Sequence, residues 1–459
     1  MRRSTLVRIL GSMALLLACS GFAAAVDFGG TLDNLTAGAT DIASGAFQID
    51  QEDTITAWIS APIGKASRFY GEGFYKFTYQ QGTVTPYLFD VSQFYISTDI
   101  YNVQDGPSHF GYQVGRIAAA DMSGYVMNGL FDGTKFTLAY PSVEFTLSGG
   151  YTGLTLKPDS TVIMSRLDST DLSNNSVILG PPRIVGSLEI RFPHLFALQS
   201  VSVDAIAQKD LHSPGDLISA GTTSQNVSSS GATDTEYFGL QLAGPLTSTL
   251  FYSAFSYLNI GQTLSFVADA TSPTGNSYQY EPILAYAGGL SLDFYPGFLG
   301  SHFGLSGLYS TGDNDANAYL DGNTSGASNT FIPINQRQYS LIFTPQLGNS
   351  ILLGLQFSLK PFSGSSSAWL KSLQGEVKAF GYLRPATSEP TSVGATVASP
   401  GDPYLGTEID AYLRVRPYSD LGFELQSGMF IPNKGQNGTP FPQTEPIAFR
   451  IGLRGVMSF

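Results

Sequence analysis

The segment that decides the fold is residues 447–459, IAFRIGLRGVMSF, which end the chain on Phe459. Apolar and polar residues alternate in it with a period of two, so an extended strand would separate them onto two faces. One face carries large apolar side chains and the other carries cations: Phe449, Ile451, Leu453 and Met457 against Arg450 and Arg454. A soluble half-buried strand can alternate in the same way, but it rarely forms the last residues of a chain with no polar tail. The pattern therefore predicts a strand with one face in lipid and one in water, as in an outer-membrane β-barrel.

The amino terminus predicts export. Arg2, Arg3 and Arg8 form a positive region, residues 9–17 form an apolar region, and Ala23 to Ala25 offer a small-residue cleavage site. We expect a signal peptide at residues 1–25, cleaved near Ala25, and a single barrel domain at residues 26–459.

Cys19 is the only cysteine, and it follows an apolar stretch in the manner of a lipoprotein signal. It is either an acylation site or one more small residue of the signal peptide. We favour the second, because the strand-like residues 26–28 follow the alanine triplet directly. Without Cys19 the mature chain can form neither a disulfide nor a thiolate metal site.

Composition favours strands over helices as the membrane-crossing element. Only 13% of the 459 residues are charged, 12% are aromatic, there are 51 glycines, and the mean hydropathy is +0.05. A soluble chain of this length would carry about 25% charged residues. After residue 25 no apolar run reaches the roughly 18 residues that a spanning helix needs. Strands that are half in lipid and half in water explain both observations.

The two-residue alternation recurs along the chain and predicts an all-β transmembrane antiparallel β-barrel of about 18 strands, within a range of 16–20. The candidate strands are residues 53–61, 67–79, 88–96, 110–118, 134–140, 143–150, 183–192, 199–209, 236–246, 248–258, 283–295, 302–309, 338–345, 351–360, 373–384, 407–416, 421–430 and 447–459. Short periplasmic turns and long extracellular loops should connect them. The alternation of connections fails once, between residues 300 and 372, so one strand in that region is misassigned.

Strand parity predicts which charged side chains line the lumen. An Arg or Lys facing lipid at mid-depth would cost about 2–4 kcal/mol, so the charged face must point inward. The predicted pore-lining residues are Arg68, Glu72, Lys76, Arg183, Glu189, Arg191, Glu376, Lys378, Arg384, Glu408, Asp410, Arg414, Arg416, Arg450 and Arg454. Alternatively, these charges form ion-pair ladders that only stiffen the barrel.

The chain is acidic, with 36 Asp and Glu against 23 Lys and Arg, yet its basic residues concentrate on the predicted inner wall. By parity, twelve basic residues face inward against nine acidic ones. Fixed charges act over about 8 Å in a water-filled pore. This predicts a channel whose Arg-biased lumen favours small polar or anionic solutes.

The stretch Leu405-Gly406-Thr407-Glu408-Ile409-Asp410, with the strand and hairpin that follow it, resembles the carboxy-terminal hairpin of alginate-export-type outer-membrane barrels. Val114-Gly115-Arg116, with Asp121 and Asp132-Gly133 downstream, looks like an early strand region of that family. The resemblance implies an eighteen-stranded barrel with an Arg-rich channel for an anionic sugar polymer or another small solute. It also implies that Arg116, Glu408, Asp410 and Arg414 line the pore.

Other functions remain open. Serine- and threonine-rich loops would suit a surface adhesin or a structural barrel. A fatty-acid transporter is a neighbouring possibility, although the amino-terminal plug expected of it is not apparent. An outer-membrane lipase is disfavoured because no nucleophile motif accompanies His109, His194, His212 or His302.

We therefore predict a non-enzymatic protein of the cell outer membrane. No two histidines have metal-ligand spacing, so the sequence indicates no metal site and no cofactor. Dispersed basic residues argue against nucleic-acid binding. The expected partners are outer-membrane lipid, small polar or anionic solutes, and the barrel-assembly machinery, which would recognise the strand ending at Phe459.

Overall fold

The computed structural model describes residues 26–40, 45–80, 83–212, 231–271, 275–313, 320, 323, 326–387, 402–434 and 447–459. The predicted signal peptide at 1–25, including Cys19, lies outside this set. Among the described residues, no helix is long and apolar enough to cross a membrane.

Eighteen strands make up one sheet in which each strand pairs antiparallel with the next. The strands are β1 Asp27–Thr40, β2 Phe47–Ile63, β3 Ser67–Gln80, β4 Thr83–Tyr101, β5 His109–Ala120, β6 Asn128–Ala139, β7 Glu144–Tyr151, β8 Arg183–Phe196, β9 Gln199–Asp210, β10 Thr233–Pro245, β11 Leu250–Ala268, β12 Asn276–Phe294, β13 His302–Ser310, β14 Ile351–Leu359, β15 Gln374–Leu383, β16 Tyr404–Tyr418, β17 Leu421–Pro432 and β18 Ala448–Ser458. The helices are α1 Arg166–Ser173 and α2 Ala368–Ser372, with a 3₁₀ turn at Lys157–Asp159.

The segment that ends the chain closes the barrel. β18 pairs antiparallel with β1 from Thr31↔Ser458 to Ala39↔Arg450. Phe459 extends this ladder, because its N–H donates to the Gly30 carbonyl and its carbonyl accepts from the Gly30 N–H, both at 3.0 Å. Closure gives every strand a neighbour on each side, which is the condition for strands to cross a membrane. The predicted closed antiparallel barrel of 18 strands is confirmed.

The outer surface is apolar on the face that the alternation predicted. On β18 the side chains of Phe449, Ile451 and Leu453 are 50–56% exposed, and Arg450 and Arg454 lie on the opposite face. Neighbouring strands continue this belt with exposed Leu, Phe, Ile and Tyr side chains. Because directly paired residues share a face of the sheet, the register extends the inside and outside assignment from strand to strand.

The number of strands was predicted correctly, although one strand was missed and one was assigned where none forms. The first strand, β1, was missed because only Phe28 and Leu32 of its outward residues are large and apolar, while Gly30, Asn34, Thr36 and Gly38 fill other outward positions. Conversely, residues 338–345 form no strand. Their alternation comes from packing inside the barrel.

The corrected strand set resolves the topology. The first and last described residues, Val26 and Phe459, lie at one end of the barrel, called here the turn end, and the other end is called the loop end. Turn-end connections are residues 64–66, 102–108, 140–143, 197–198, 246–249, 295–301, 360–373 and 419–420. Loop-end connections include residues 121–127, 152–182, 211–232, 311–350, 384–403 and 433–447. With the corrected strands, every connection falls at one of the two ends, and the longest ones, 152–182, 211–232 and 311–350, all lie at the loop end; the two-residue connection 81–82 at the loop end and the fourteen-residue connection 360–373 at the turn end depart from the predicted lengths.

Candidate channel lumen

One turn at the loop end folds into the lumen. It is the connection 121–127, and the Asp121 carboxylate organises it by accepting four backbone N–H groups of the same turn at 2.6–2.9 Å. The hydroxyl of Tyr257 on β11 lies 2.8 Å from Asp121 Oδ1 and 2.7 Å from Asp204 Oδ2 on β9. The turn that leaves β5 is therefore tied to the wall formed by β9 and β11.

A second segment, residues 330–347 of the connection between β13 and β14, also crosses the lumen and is called here the inner segment. The Ile334 N–H donates to the Val126 carbonyl at 2.8 Å, and the Tyr237 hydroxyl on β10 donates to the Ile332 carbonyl at 2.6 Å. Asn335 Nδ2 donates to Thr161 Oγ1 at 2.9 Å. The inner segment thus lies against the inward turn and the wall beside it.

Glu408 and Asp410 on β16 hold the far end of the inner segment. Glu408 accepts the N–H groups of Ile342 and Phe343, both at 2.8 Å, and Asp410 accepts the N–H of Leu341 at 3.2 Å. Both acidic side chains are fully buried. Their carboxylates face the lumen as the sequence predicted, but they bind protein backbone there and do not meet solvent.

Apolar contacts complete this attachment. The Phe343 ring stacks on Phe430 with ring centroids 4.4 Å apart and meets Tyr382 edge-on at 4.9 Å. These residues belong to a buried cluster that joins the inner segment to the wall. The segment 338–345 alternates because one of its sides packs in this cluster, which explains its false assignment as a strand.

Arg183 anchors a third inward segment. Its guanidinium is fully buried and donates to Asp168 near the start of α1 at 2.7 Å and to Asp210 on β9 at 2.9 Å. It also donates to Gln208 at 2.9 Å. Arg183 therefore faces inward as predicted, but it fixes the connection 152–182 to the wall.

Lys76 on β3 also attaches the connection 152–182 to the wall. Its ammonium group lies 2.9 Å from Asp159 in the 3₁₀ turn of the same connection. On the same strand, the Glu72 carboxylate accepts hydroxyl hydrogen bonds from Tyr70 and Ser92, both at 2.6 Å.

The resemblance to alginate-export-type barrels implied that Arg116 lines the pore, but the structure places it elsewhere. It pairs with Phe94 on β4, which is 56% exposed, and shares its face of β5 with Val114, which is 45% exposed, so its backbone position is on the outer face. β4 pairs with β5 only over Phe94–Tyr101. Where the two strands part, the Arg116 guanidinium bridges Asp90 and Asp132 at 3.1 Å each. We therefore withdraw Arg116 from the predicted pore wall.

Ion pairs connect β15, β16 and β17 across the inner wall. Arg414 contacts both Glu376 and Glu424 and lies 4.7 Å over the Tyr412 ring. Lys378 Nζ lies 3.4 Å from Glu376 Oε1. These residues were predicted to line the lumen. They pair with one another in an ion-pair ladder, which is the alternative arrangement given in the sequence analysis.

The ladder continues where β18 meets the first strands. Arg450 lies 3.6 Å from Asp50 on β2, and Arg454 contacts Asp33 on β1. Both acidic partners belong to strand segments that the sequence prediction did not include.

The remaining predicted residues lie in different parts of the barrel. Arg68 and Arg416 lie near the turn end, Glu189 and Arg191 share the inward face of β8, and Arg384 follows β15 and donates to the Asp402 carbonyl at 3.3 Å. Their assignment to the pore wall stays a prediction.

The predicted excess of basic residues on the wall does not hold. Asp27, Asp33, Asp50 and Glu52 on β1 and β2, Asp99 on β4 and Asp210 on β9 also face inward, so the acidic residues on the wall outnumber the twelve basic ones. The inward segments contribute further carboxylates, including Asp121 and Asp159. Any preference for anions must therefore come from a local site.

One local cavity lies between the inner segment and the wall of β12–β15. This cavity of about 250 Å³ is lined by Tyr125, Arg337, Gln338 and Tyr339 from the inward segments and by Ser291, Asp293, Ser306, Gln356 and Lys378 from the wall. Burial raises the pKa of the Tyr339 hydroxyl well above its usual value, so it stays a neutral donor. Arg337 was not predicted from the sequence, because the adjacent residues 338–345 were assigned to a strand of the barrel wall.

Comparison with solved structures agrees with this architecture. The outer membrane protein OprD from Pseudomonas aeruginosa matches with a TM-score of 0.52 at 10% identity over 95% of this chain and 94% of that one. The fold resembles that of OprD. P. aeruginosa OccK7 (OpdD) gives a TM-score of 0.52 at 9% identity, covering 95% and 99% of the two chains. The outer membrane protein OpdK from P. aeruginosa gives 0.51 at 10% identity, covering 95% and 98%.

At such low identity the likeness to OprD establishes the fold alone. No protein-family model matches the chain, and no curated protein is similar to it in sequence.

Proposed function

We propose that this chain is an outer-membrane channel for small polar solutes, and that it favours solutes bearing a carboxylate. The observation that carries the proposal is the cavity beside the inner segment, because it places two cations, Arg337 and Lys378, with one carboxylate, Asp293, and several neutral polar groups in the narrowed part of a membrane-type barrel. The OprD-like fold and the apolar outer belt support the outer-membrane location. Insertion by the barrel-assembly machinery through the strand ending at Phe459 is part of the same proposal.

The cavity has the size of a small metabolite. At about 30 Å³ for each water, 250 Å³ is the space of about eight waters. A solute that enters it must give up much of its hydration shell. Gln338, Gln356 and Ser291 can replace part of that shell with hydrogen bonds, which favours polar solutes over apolar chains such as fatty acids.

Arg337 and Lys378 provide the charge preference. The Arg337 guanidinium lies 4.6 Å above the Tyr125 ring and donates to the Gly124 carbonyl at 3.2 Å, so its position is fixed. Lys378 approaches the same cavity from β15. A fixed guanidinium beside an ammonium group suits a carboxylate.

The resemblance to alginate-export-type barrels implies an anionic sugar polymer or another small solute. We propose a sugar acid as the first solute class to test, because it combines the carboxylate that Arg337 and Lys378 suit with hydroxyl groups that the amides can bind.

Uptake into proteoliposomes tests the proposal. For Arg337→Gln and Lys378→Gln we expect gluconate uptake to fall by about fivefold, a loss of about 1 kcal/mol, while glucose uptake changes little. Arg416→Gln is the matched control, because it removes an inward cation far from the cavity. Equal changes for gluconate and glucose would contradict a carboxylate site, and no uptake of either solute by the unaltered protein would contradict the channel.

A further inference from the structure

A cluster of metal-type ligands lies at the loop end, where α1 meets the end of β9. Asp168 in α1, Asp210 at the end of β9, and His212 each offer one ligand atom, and these atoms lie within 4.8 Å of one another. We propose that Asp168, Asp210 and His212 bind a divalent transition-metal ion such as Zn²⁺, which fastens the inward connection 152–182 to the barrel wall.

The two carboxylates are already oriented for this role. Their Oδ2 atoms both accept from Arg183 Nη2, at 2.7 Å for Asp168 and 2.9 Å for Asp210. The Asp168 Oδ2 atom also accepts the N–H groups of Met164 and Ser165 at 2.7 and 3.0 Å. This leaves both Oδ1 atoms turned toward His212 Nδ1, at 3.8 Å from Asp168 and 2.6 Å from Asp210.

The Oδ1 atom of Asp168 lacks a partner. The Asp168 side chain is fully buried, and no donor in the described part of the chain forms a hydrogen bond with its Oδ1. A buried carboxylate oxygen without a partner is costly, since it has lost its water and gained nothing in return. An ion placed between this atom and His212 Nδ1 would supply the missing interaction.

His212 has the second hydrogen bond that metal-binding histidines usually have. Its Nε2 atom lies 3.0 Å from Asp171 Oδ2, also in α1. A carboxylate that accepts the N–H of one ring nitrogen fixes the tautomer and leaves the other nitrogen free to bind metal. Asp171 thus orients His212 so that Nδ1 points at the two aspartates.

The charges of the cluster call for a dication. Metal binding requires His212 to lose its proton. The carboxylates of Asp168, Asp171 and Asp210 then face the guanidinium of Arg183, which leaves two negative charges. A divalent ion brings the cluster to neutrality. The mixed nitrogen and oxygen ligands favour zinc-type ions over Ca²⁺ or Mg²⁺, which prefer oxygen ligands alone.

A proton competes with the ion for His212. Burial would lower the pKa of His212, but hydrogen bonds and charge attraction from Asp210, with Asp171 and Asp168, outweigh burial and raise it to about 9. Binding therefore releases the proton shared by Nδ1 and Asp210.

Isothermal titration of tag-free, EDTA-stripped protein with ZnCl₂ tests the site. We expect one Zn²⁺ per chain, an at least tenfold weaker affinity for His212→Gln, and no comparable binding of Ca²⁺. His302→Gln is the matched control, because His302 forms a similar pair with Asp293 at 2.8 Å but belongs to no ligand cluster among the described residues. Its zinc affinity should be unchanged.

Absence of stoichiometric binding, or equal affinities for the unaltered protein and His212→Gln, would overturn the proposal. Retained heat-modifiable migration on a gel shows that His212→Gln folds. If it does not fold, zinc X-ray absorption of the unaltered protein decides the matter. One imidazole with carboxylate oxygens around the ion supports the site, and a shell of several imidazoles overturns it.

Discussion

Replacing Glu408 by alanine is expected to raise the single-channel conductance at least about twofold, because the variant loses the acceptor that holds the inner segment across the lumen. The Glu408 carboxylate binds the N–H groups of Ile342 and Phe343 and lies 3.1 Å from the Ser340 hydroxyl. A buried donor left without an acceptor costs about 1–3 kcal/mol. The N–H groups of Ile342 and Phe343 lose their acceptor, whereas the Ser340 hydroxyl keeps the Phe343 carbonyl at 2.6 Å, so the far end of the inner segment should loosen from the wall.

The control for this variant is Asp50→Ala. Asp50 also faces the lumen, but its ion-pair partner is Arg450 on the wall, 3.6 Å away. Both substitutions remove one inward carboxyl group, so a change caused by the loss of such a group alone would appear in both. Planar-bilayer recordings should show larger and noisier steps for Glu408→Ala only. An unchanged conductance for this variant would mean that the inner segment does not limit the passage.

Replacing Arg183 by methionine is expected to lower the free energy of unfolding by about 3–5 kcal/mol, the usual effect of removing one partner of a buried ion pair. Arg183 is fully buried and neutralises Asp168 and Asp210, which would be left buried with only His212 as a cation. Methionine fills much of the space but supplies no hydrogen bond. Urea unfolding in lipid vesicles, followed by the fluorescence of Trp58 and Trp369, measures the change.

Arg454→Met is the matched control for this stability measurement. Arg454 pairs with Asp33, and its side chain is 47% exposed, so water screens the pair. We expect a loss below about 1 kcal/mol. EDTA in both samples removes bound metal, so that metal binding does not contribute to either free energy of unfolding. Equal losses for the two variants would contradict the anchoring role of Arg183.

The sequence predicted the barrel well where strand alternation has a single cause. On β18 the lipid face takes large apolar residues and the lumen face takes Arg450 and Arg454, so both faces could be read correctly. β1 could not be read, because its outward face is mostly Gly, Asn and Thr. Missing β1 and the first half of β2 also hid four inward acidic residues, and this contributed to the apparent basic excess.

The lumen could be predicted only in part, because its contacts join residues that are far apart in sequence. Parity placed Glu408 and Asp410 on the inner face, but nothing in the sequence shows that the backbone of residues 341–343 occupies their carboxylates. Alternation in the inner segment reflects packing of Phe343 against Phe430, and it imitates a strand. The proposed metal ligands come from α1, the end of β9 and the residues after it, so no spacing motif marks them.

Planar-bilayer conductance of the refolded, unaltered protein tests the central claim most directly. A barrel narrowed by the inner segment should insert as a stable open channel with small, uniform steps, and the steps should fall when gluconate replaces chloride as the anion at equal concentration. Insertion without any conductance would contradict the channel.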